Sequence, residues 1–99
     1  MPQFDVFGLR GRSGLFVSIQ HDALVGHATT VLIPLVPIAS ASLPVSRLNP
    51  VFNMDGEQLI LLTQAMSAVR NSELERKGTS LSHERDRIVS AIDFLVVGF

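Results

Sequence analysis

The sequence predicts a mostly β fold, an antiparallel sheet or small barrel with one α-helix laid against it at the C-terminus. Three observations carry that expectation. Short β-branched and aromatic runs separated by Gly, Pro, Asn and Asp fill the first two-thirds of the 99 residues. Asp55-Gly56, set between two apolar arms, is the strongest hairpin signal in the chain. Near the end, Ile88, Ala91, Ile92, Leu95, Val96 and Phe99 fall at i, i+3, i+4, i+7, i+8 and i+11, which stacks them on one face of a helix.

Taken in order, residues 3–7 (Gln-Phe-Asp-Val-Phe) read as a first strand, with Phe4 and Val6 on one side and Gly8 ending it. Residues 8–14 hold three glycines and two arginines and read as a mobile hairpin loop, with Arg10 and Arg12 available to an acidic partner. A second strand is expected over 15–19, antiparallel to the first, followed by a connection over 20–27 with a turn near Asp22. Residues 29–33 form a strand buried on both faces, which Pro34 ends or places at a sheet edge. Residues 35–44 read as an irregular excursion. The Asp55-Gly56 hairpin joins arms over 49–54 and 58–62. Residues 64–68 favour a turn or helical fragment, and 71–78 a charged surface segment.

The closing helix is expected to start near Ser82, whose hydroxyl caps free N–H groups, with Glu84 and Asp86 in the first turn at the positive end of the helix dipole. Asp86, Ser90, Asp93 and Val97 form the stripe opposite the buried one, edged by Phe94 and Arg87. The sequence ends at Gly98-Phe99 without a polar tail, so a bare helix end bearing Phe94, Val97 and Phe99 is expected to face another protein.

Composition sets the outer limits. The length suits a single domain over residues 1–99. A hydrophobic content of 46% is more than so short a chain hides by itself, and an isologous homodimer interface is the expected place for the surplus. There is no cysteine, which removes disulfides, thiolate metal sites and a Cys nucleophile and fits a reducing cytoplasm. The N-terminus lacks the basic region of a secretory signal, and the longest apolar run, over 31–39, is interrupted by Pro34 and Pro37, so a soluble protein is expected. A net charge of −1 with dispersed Lys and Arg argues against unassisted nucleic-acid binding.

Catalytic and metal chemistry finds little purchase. His21, His27 and His83 show no ligand spacing, and structural or surface roles are expected for them. The serines are too scattered to choose a triad, no G-x-S-x-G elbow exists, and no carboxylate pair is placed to divide acid and base roles. No enzyme, metal or cofactor is expected.

Several stretches together resemble the CcdB toxins of plasmid and chromosomal toxin–antitoxin modules. Gln3-Phe4-Asp5-Val6-Phe7 is similar to that family's opening strand, residues 15–22 to its second, Ile33-Pro34-Leu35 to its third, and residues 45–51 to the approach to its later hairpin. Leu81-Ser82-His83-Glu84-Arg85-Asp86, followed by Ile88, Ala91, Ile92 and Gly98, is similar to its closing helix. The similarity runs in order along nearly the whole chain. It implies a cytoplasmic homodimer with an SH3-like antiparallel barrel of CcdB/Kid type, a small extra sheet and a C-terminal helix.

It also implies a non-enzymatic poison of DNA gyrase that binds the A subunit and traps the cleaved DNA complex. An antitoxin of CcdA type would neutralise it with a disordered tail, and the pair would repress its own operon, touching operator DNA only through that complex. By the same resemblance the gyrase-binding positions are Val97, Gly98, Phe99, Asp93, Ser90, Ala23 and Leu24, to which the apolar helix end adds Phe94, and the antitoxin is assigned to the arginine-bearing loop at Arg10, Gly11, Arg12 and Ser13. Val97 and Asp93 stand where the family carries Trp and Asn. Two alternatives follow: a diverged member that has lost or changed its target but keeps its antitoxin, or a Kid/MazF-like endoribonuclease using Arg10, Arg12 or Arg47 with His21 or His83.

Overall fold

The computed structural model describes residues 3–20, 28–41 and 44–98. Its strands are β1 (Asp5–Leu9), β2 (Arg12–Ser18), β3 (Thr29–Pro37), β4 (Val51–Met54), β5 (Glu57–Leu61), β6 (Ser67–Arg70) and β7 (Leu74–Ser80), and its helix is α1 (Arg85–Val97). Short 3-10 turns occupy Ile38–Ser40, Thr63–Ala65, Asn71–Glu73 and Ser82–Glu84. All strands belong to one seven-stranded sheet in the order β4-β5-β3-β2-β1-β7, with β6 also on β3. Every pairing is antiparallel.

The sheet forks at β3. Thr29 through Leu32 pair with β6, whereas Leu35 through Pro37 pair with β5. Pro34 lies between the two partners and neither ends the strand nor sits at an edge, contrary to the sequence expectation. Its carbonyl accepts a hydrogen bond from the Leu62 N–H (2.9 Å). In a strand the N and O of one residue point the same way, so the proline nitrogen faces the gap between β5 and β6, where a missing N–H costs no rung. The run β3-β5-β4 is the small extra sheet, continuous with the main one through β3.

The main run β7-β1-β2-β3-β6 has curled. Its two outer strands, β6 and β7, are joined by only three residues, Asn71–Glu73. The edges must therefore approach each other, giving a half-barrel. The Thr30 hydroxyl bonds Asn71 Oδ1 (2.5 Å), the Asn71 N–H bonds the Ala28 carbonyl (2.9 Å), and the Arg10 N–H bonds the Glu73 carbonyl (2.8 Å), pinning the bridge.

Strand alternation divides the apolar residues between two faces. Phe7, Leu9 and Leu32, with Phe16, Val69 and Leu74 beside them, fill the concave side. Val6, Val17, Ile33 and Leu35 face outward onto Phe52, Leu59 and Leu61 of the β4–β5 arm and onto Leu81 and Ile88. Phe4 joins this outer cluster from a turn at φ 69, an unusual conformation for a bulky residue. It is clamped there by its N–H on the Ser18 carbonyl (2.6 Å) and its carbonyl on the Leu81 N–H (2.8 Å).

The Asp55-Gly56 hairpin forms as expected, with both turn residues at positive φ (53 and 82) and Met54 opposite Glu57. Elsewhere the boundaries move. Gly8 lies inside β1, and residues 8–14 are not a loop: Arg10 and Gly11 alone make the turn, and Arg12 through Gly14 belong to β2. Residues 35–37 continue β3 instead of starting an irregular excursion. The strands β6 (67–70) and β7 (74–80) overlap the expected turn or helical fragment over 64–68 and the expected surface segment over 71–78. The turn expected near Asp22 lies outside the described residues.

Ile88 is fully buried where the helix meets the sheet. Replacing it with Ala should lower the unfolding free energy by about 2–5 kcal/mol, read from the midpoint of urea denaturation.

Candidate protein-binding site at the helix end

The helix begins without a side-chain cap. Ser82 lies in the preceding 3-10 turn, and it is Ser80 Oγ that accepts a hydrogen bond from the Ser82 N–H (3.1 Å), so the expected Ser82 cap is not formed. Glu84 precedes the first helical residue and Asp86 lies in the first turn, where carboxylates suit the dipole.

Docking on the sheet is confined to the first half of α1. Ile88 and Ala91 are fully buried, and Val89 and Ile92 pack at the margin of the outer cluster. The expected buried face does not continue: Leu95 is 38% exposed and Val96 72%. The helix rises about 1.5 Å per residue, so the stretch after Ala91 runs roughly 9 Å past its last buried contact. Val97 is 58% exposed. The helix end is nonetheless capped, because Gly98 takes φ 81 and returns its N–H to the Phe94 carbonyl (3.0 Å). An apolar tip of Leu95, Val96 and Val97 thus stands on a finished helix.

Beside this tip, segment 44–50 packs along the helix. The Arg47 guanidinium lies 5.5 Å from the Phe94 ring centre, and its Nε donates to Ser90 Oγ (3.2 Å). Arg87 repeats the arrangement one layer down. Its guanidinium sits 4.7 Å from the Phe52 ring, donates to the Val51 carbonyl (2.8 Å), and meets Glu84 at 3.4 Å. Asn49, buried at the base of the segment, holds it in place. Its Oδ1 accepts from the Val45 N–H (3.0 Å), and its Nδ2 donates to the Leu61 carbonyl (3.0 Å) and to Gln64 Oε1 (2.7 Å). The Thr63 hydroxyl adds a bond to the Leu48 carbonyl (2.6 Å).

Of the residues singled out from the sequence, Ser90, Asp93, Phe94, Val97 and Gly98 come together along one end of α1. Phe94 and Ser90 are half-buried under Arg47, and Asp93 is exposed. Ala23, Leu24, Phe99, His21 and His27 lie outside the described residues. Arg10, Gly11, Arg12 and Ser13 are exposed at the tip of the β1–β2 hairpin beside Glu73, on a different element from the helix. Arg47 belongs to the helix side, so the arginines named for a ribonuclease are divided between two places. No group of three His, Asp or Glu side chains is placed to hold a metal ion among the described residues. No described helix is long and apolar enough to cross a membrane.

Asn49 escaped the sequence reading, which places it at the start of the first hairpin arm, whereas β4 begins at Val51. Its three-way satisfaction becomes visible only when β5 and segment 44–50 meet in space.

The forked, curled sheet with a helix projecting past it defines a small half-barrel β protein whose helix end carries exposed apolar side chains. The family model described as CcdB protein matches residues 3–98, and the chain belongs to the CcdB family, toxins of toxin–antitoxin modules. No curated protein matches the chain.

Replacing Asn49 with Ala takes the side-chain partner from the buried Leu61 carbonyl and from the Val45 N–H. Stability should fall by about 1–3 kcal/mol in thermal denaturation, with Arg47 released from Phe94.

Proposed function

We propose that this protein is the toxin of a type II module that acts by seizing the A subunit of DNA gyrase and trapping the enzyme on cleaved DNA. The observation that carries this reading is the exposed apolar tip, Val96 and Val97, on a helix end closed by Gly98. Side chains of this kind gain by burial, about 25 cal/mol per Å² of apolar surface, once a partner covers them. Membership of the CcdB family supports a toxin role, and gyrase is the partner this reading adds to it.

In this reading Val97, Gly98 and Phe99 are the leading contacts, flanked by Phe94, Asp93 and Ser90 and by Ala23 and Leu24. Two copies form a homodimer, which brings two helix ends to one target. A CcdA-type antitoxin neutralises the toxin, engaging Arg10, Gly11, Arg12 and Ser13 with acidic groups, and the pair binds operator DNA through the antitoxin. The toxin works in the cytoplasm as a binding module, without a cofactor of its own.

A second reading has a specific basis in Val97 and Asp93, which replace the Trp and Asn of the family pattern. Loss of an indole from an interface costs a few kcal/mol, so the target has changed or toxicity has decayed while antitoxin binding persists.

Purified protein incubated with gyrase, plasmid and ATP should accumulate linear DNA after protein digestion, and Val97→Trp should raise the yield at a fixed toxin concentration by tenfold or more. Cleavage by the variant alone would favour the second reading. Cleavage by neither would overturn gyrase as target. Analytical ultracentrifugation should give twice the protomer mass; a monomer at micromolar concentration would contradict the dimer.

A further inference from the structure

The depression between segment 44–50 and α1 has an open volume of about 270 Å³ and is lined by Ser46, Arg47, Pro50, Asp86, Arg87 and Ser90. Its two arginines differ in what they have left to give. Arg87 is committed to the Val51 carbonyl and Glu84. Arg47 has spent only Nε, on Ser90, and its terminal nitrogens have no hydrogen-bonded acceptor among the described residues.

Arg47 is also held in place. One face of the guanidinium is turned to Phe94, Nε is tied to the helix, and the backbone beneath it is stapled by Asn49 and Thr63. A guanidinium fixed in this way has already lost much of the rotamer freedom that binding would cost, and its planar fork matches a carboxylate. Arg87 is already paired with Glu84, and Asp86, fully exposed on the rim, lies 3.7 Å from Arg85, so Arg47 is the lining charge left to match. That balance suits a ligand with one negative charge better than a dianion.

We propose that this depression is a carboxylate-binding site for an Asp or Glu side chain on an extended acidic segment of a partner polypeptide, with the terminal nitrogens of Arg47 as the recognising group. The depression is open, and it shares α1 with the apolar tip, so a peptide lying along the helix meets charge and apolar surface in succession. The assignment does not depend on gyrase being the target.

The test uses the full-length protein labelled with nitrogen-15, following the Arg47 Nε–H and Ser90 amide signals. The probes are acetyl-Ala-Glu-Ala-amide, the same peptide with Gln in place of Glu, and sodium phosphate. The Glu peptide should produce saturable shifts at both signals, with at least fivefold weaker binding by the Gln peptide and by phosphate. Arg47→Gln should abolish the Ser90 response, and Arg47→Lys, which keeps the charge without the fork, should weaken it at least threefold. Asp86→Asn removes the opposing charge from the rim without touching Arg47 and should tighten the Glu peptide severalfold. Equal binding of the Gln peptide, phosphate binding as tight as the Glu peptide, an undiminished response in Arg47→Gln, or no tightening in Asp86→Asn would each overturn the site.

Discussion

The change of partner along β3 is the constraint on which the rest of the molecule depends. One strand serves both arms of the sheet because its first half bonds to β6 and its second half to β5, with Pro34 placed where no ladder N–H is needed. The first half commits the main sheet to curl until β6 and β7 can be bridged by Asn71–Glu73. The second half swings the β4–β5 hairpin over the outer face, where Phe52, Leu59 and Leu61 meet Val17 and Ile33. What remains of that face is narrow, and α1 covers it with Ile88 and Ala91.

That narrowness explains the exposed end of the helix. The sheet offers the helix room for two buried positions and a margin, and beyond them Leu95, Val96 and Val97 are exposed while Phe94 packs beneath Arg47. Leu95, Val96 and Val97 are therefore exposed through geometry, not through disorder of the helix, since Gly98 closes the last turn. A side wall is added by Arg47, held upright between Phe94 and the stapled segment beneath it. Rigid support under an exposed apolar tip is the arrangement expected of a binding surface that has little ordering cost left when a partner arrives.

The sequence made some of this plain and hid the rest for identifiable reasons. Asp55-Gly56 announced its hairpin because a primed turn needs two residues that tolerate positive φ, and few pairs meet that need. The sheet-facing start of α1 followed from Ile88 and Ala91, but periodicity alone cannot say how far a supporting sheet extends, so Leu95 and Val96 were assigned to a face that ends before them. β7 was hidden because Glu75, Arg76, Lys77 and Gly78 are poor strand formers; as an exposed edge beside β1 it gains from charge, which discourages pairing with foreign strands. Gly8 and Gly14 suggested a loop where both lie in strands, and Pro34 suggested an end where the strand goes on. The candidate residues on the helix lie close together simply because one element carries them, whereas Asn49 and the stacking of Arg47 on Phe94 depend on contacts distant in sequence.

The central claim is that the last turn of α1 is dispensable to the fold and necessary to the partner. The most direct test is a variant carrying both Val96→Lys and Val97→Lys, in which the cations also suit the negative end of the helix dipole. The account predicts an unfolding free energy within about 0.5 kcal/mol of the parent, as for ordinary surface changes, together with complete loss of growth arrest when the toxin is expressed. A stability loss beyond about 2 kcal/mol, the scale of a disrupted core, or growth arrest that persists unchanged, would contradict it.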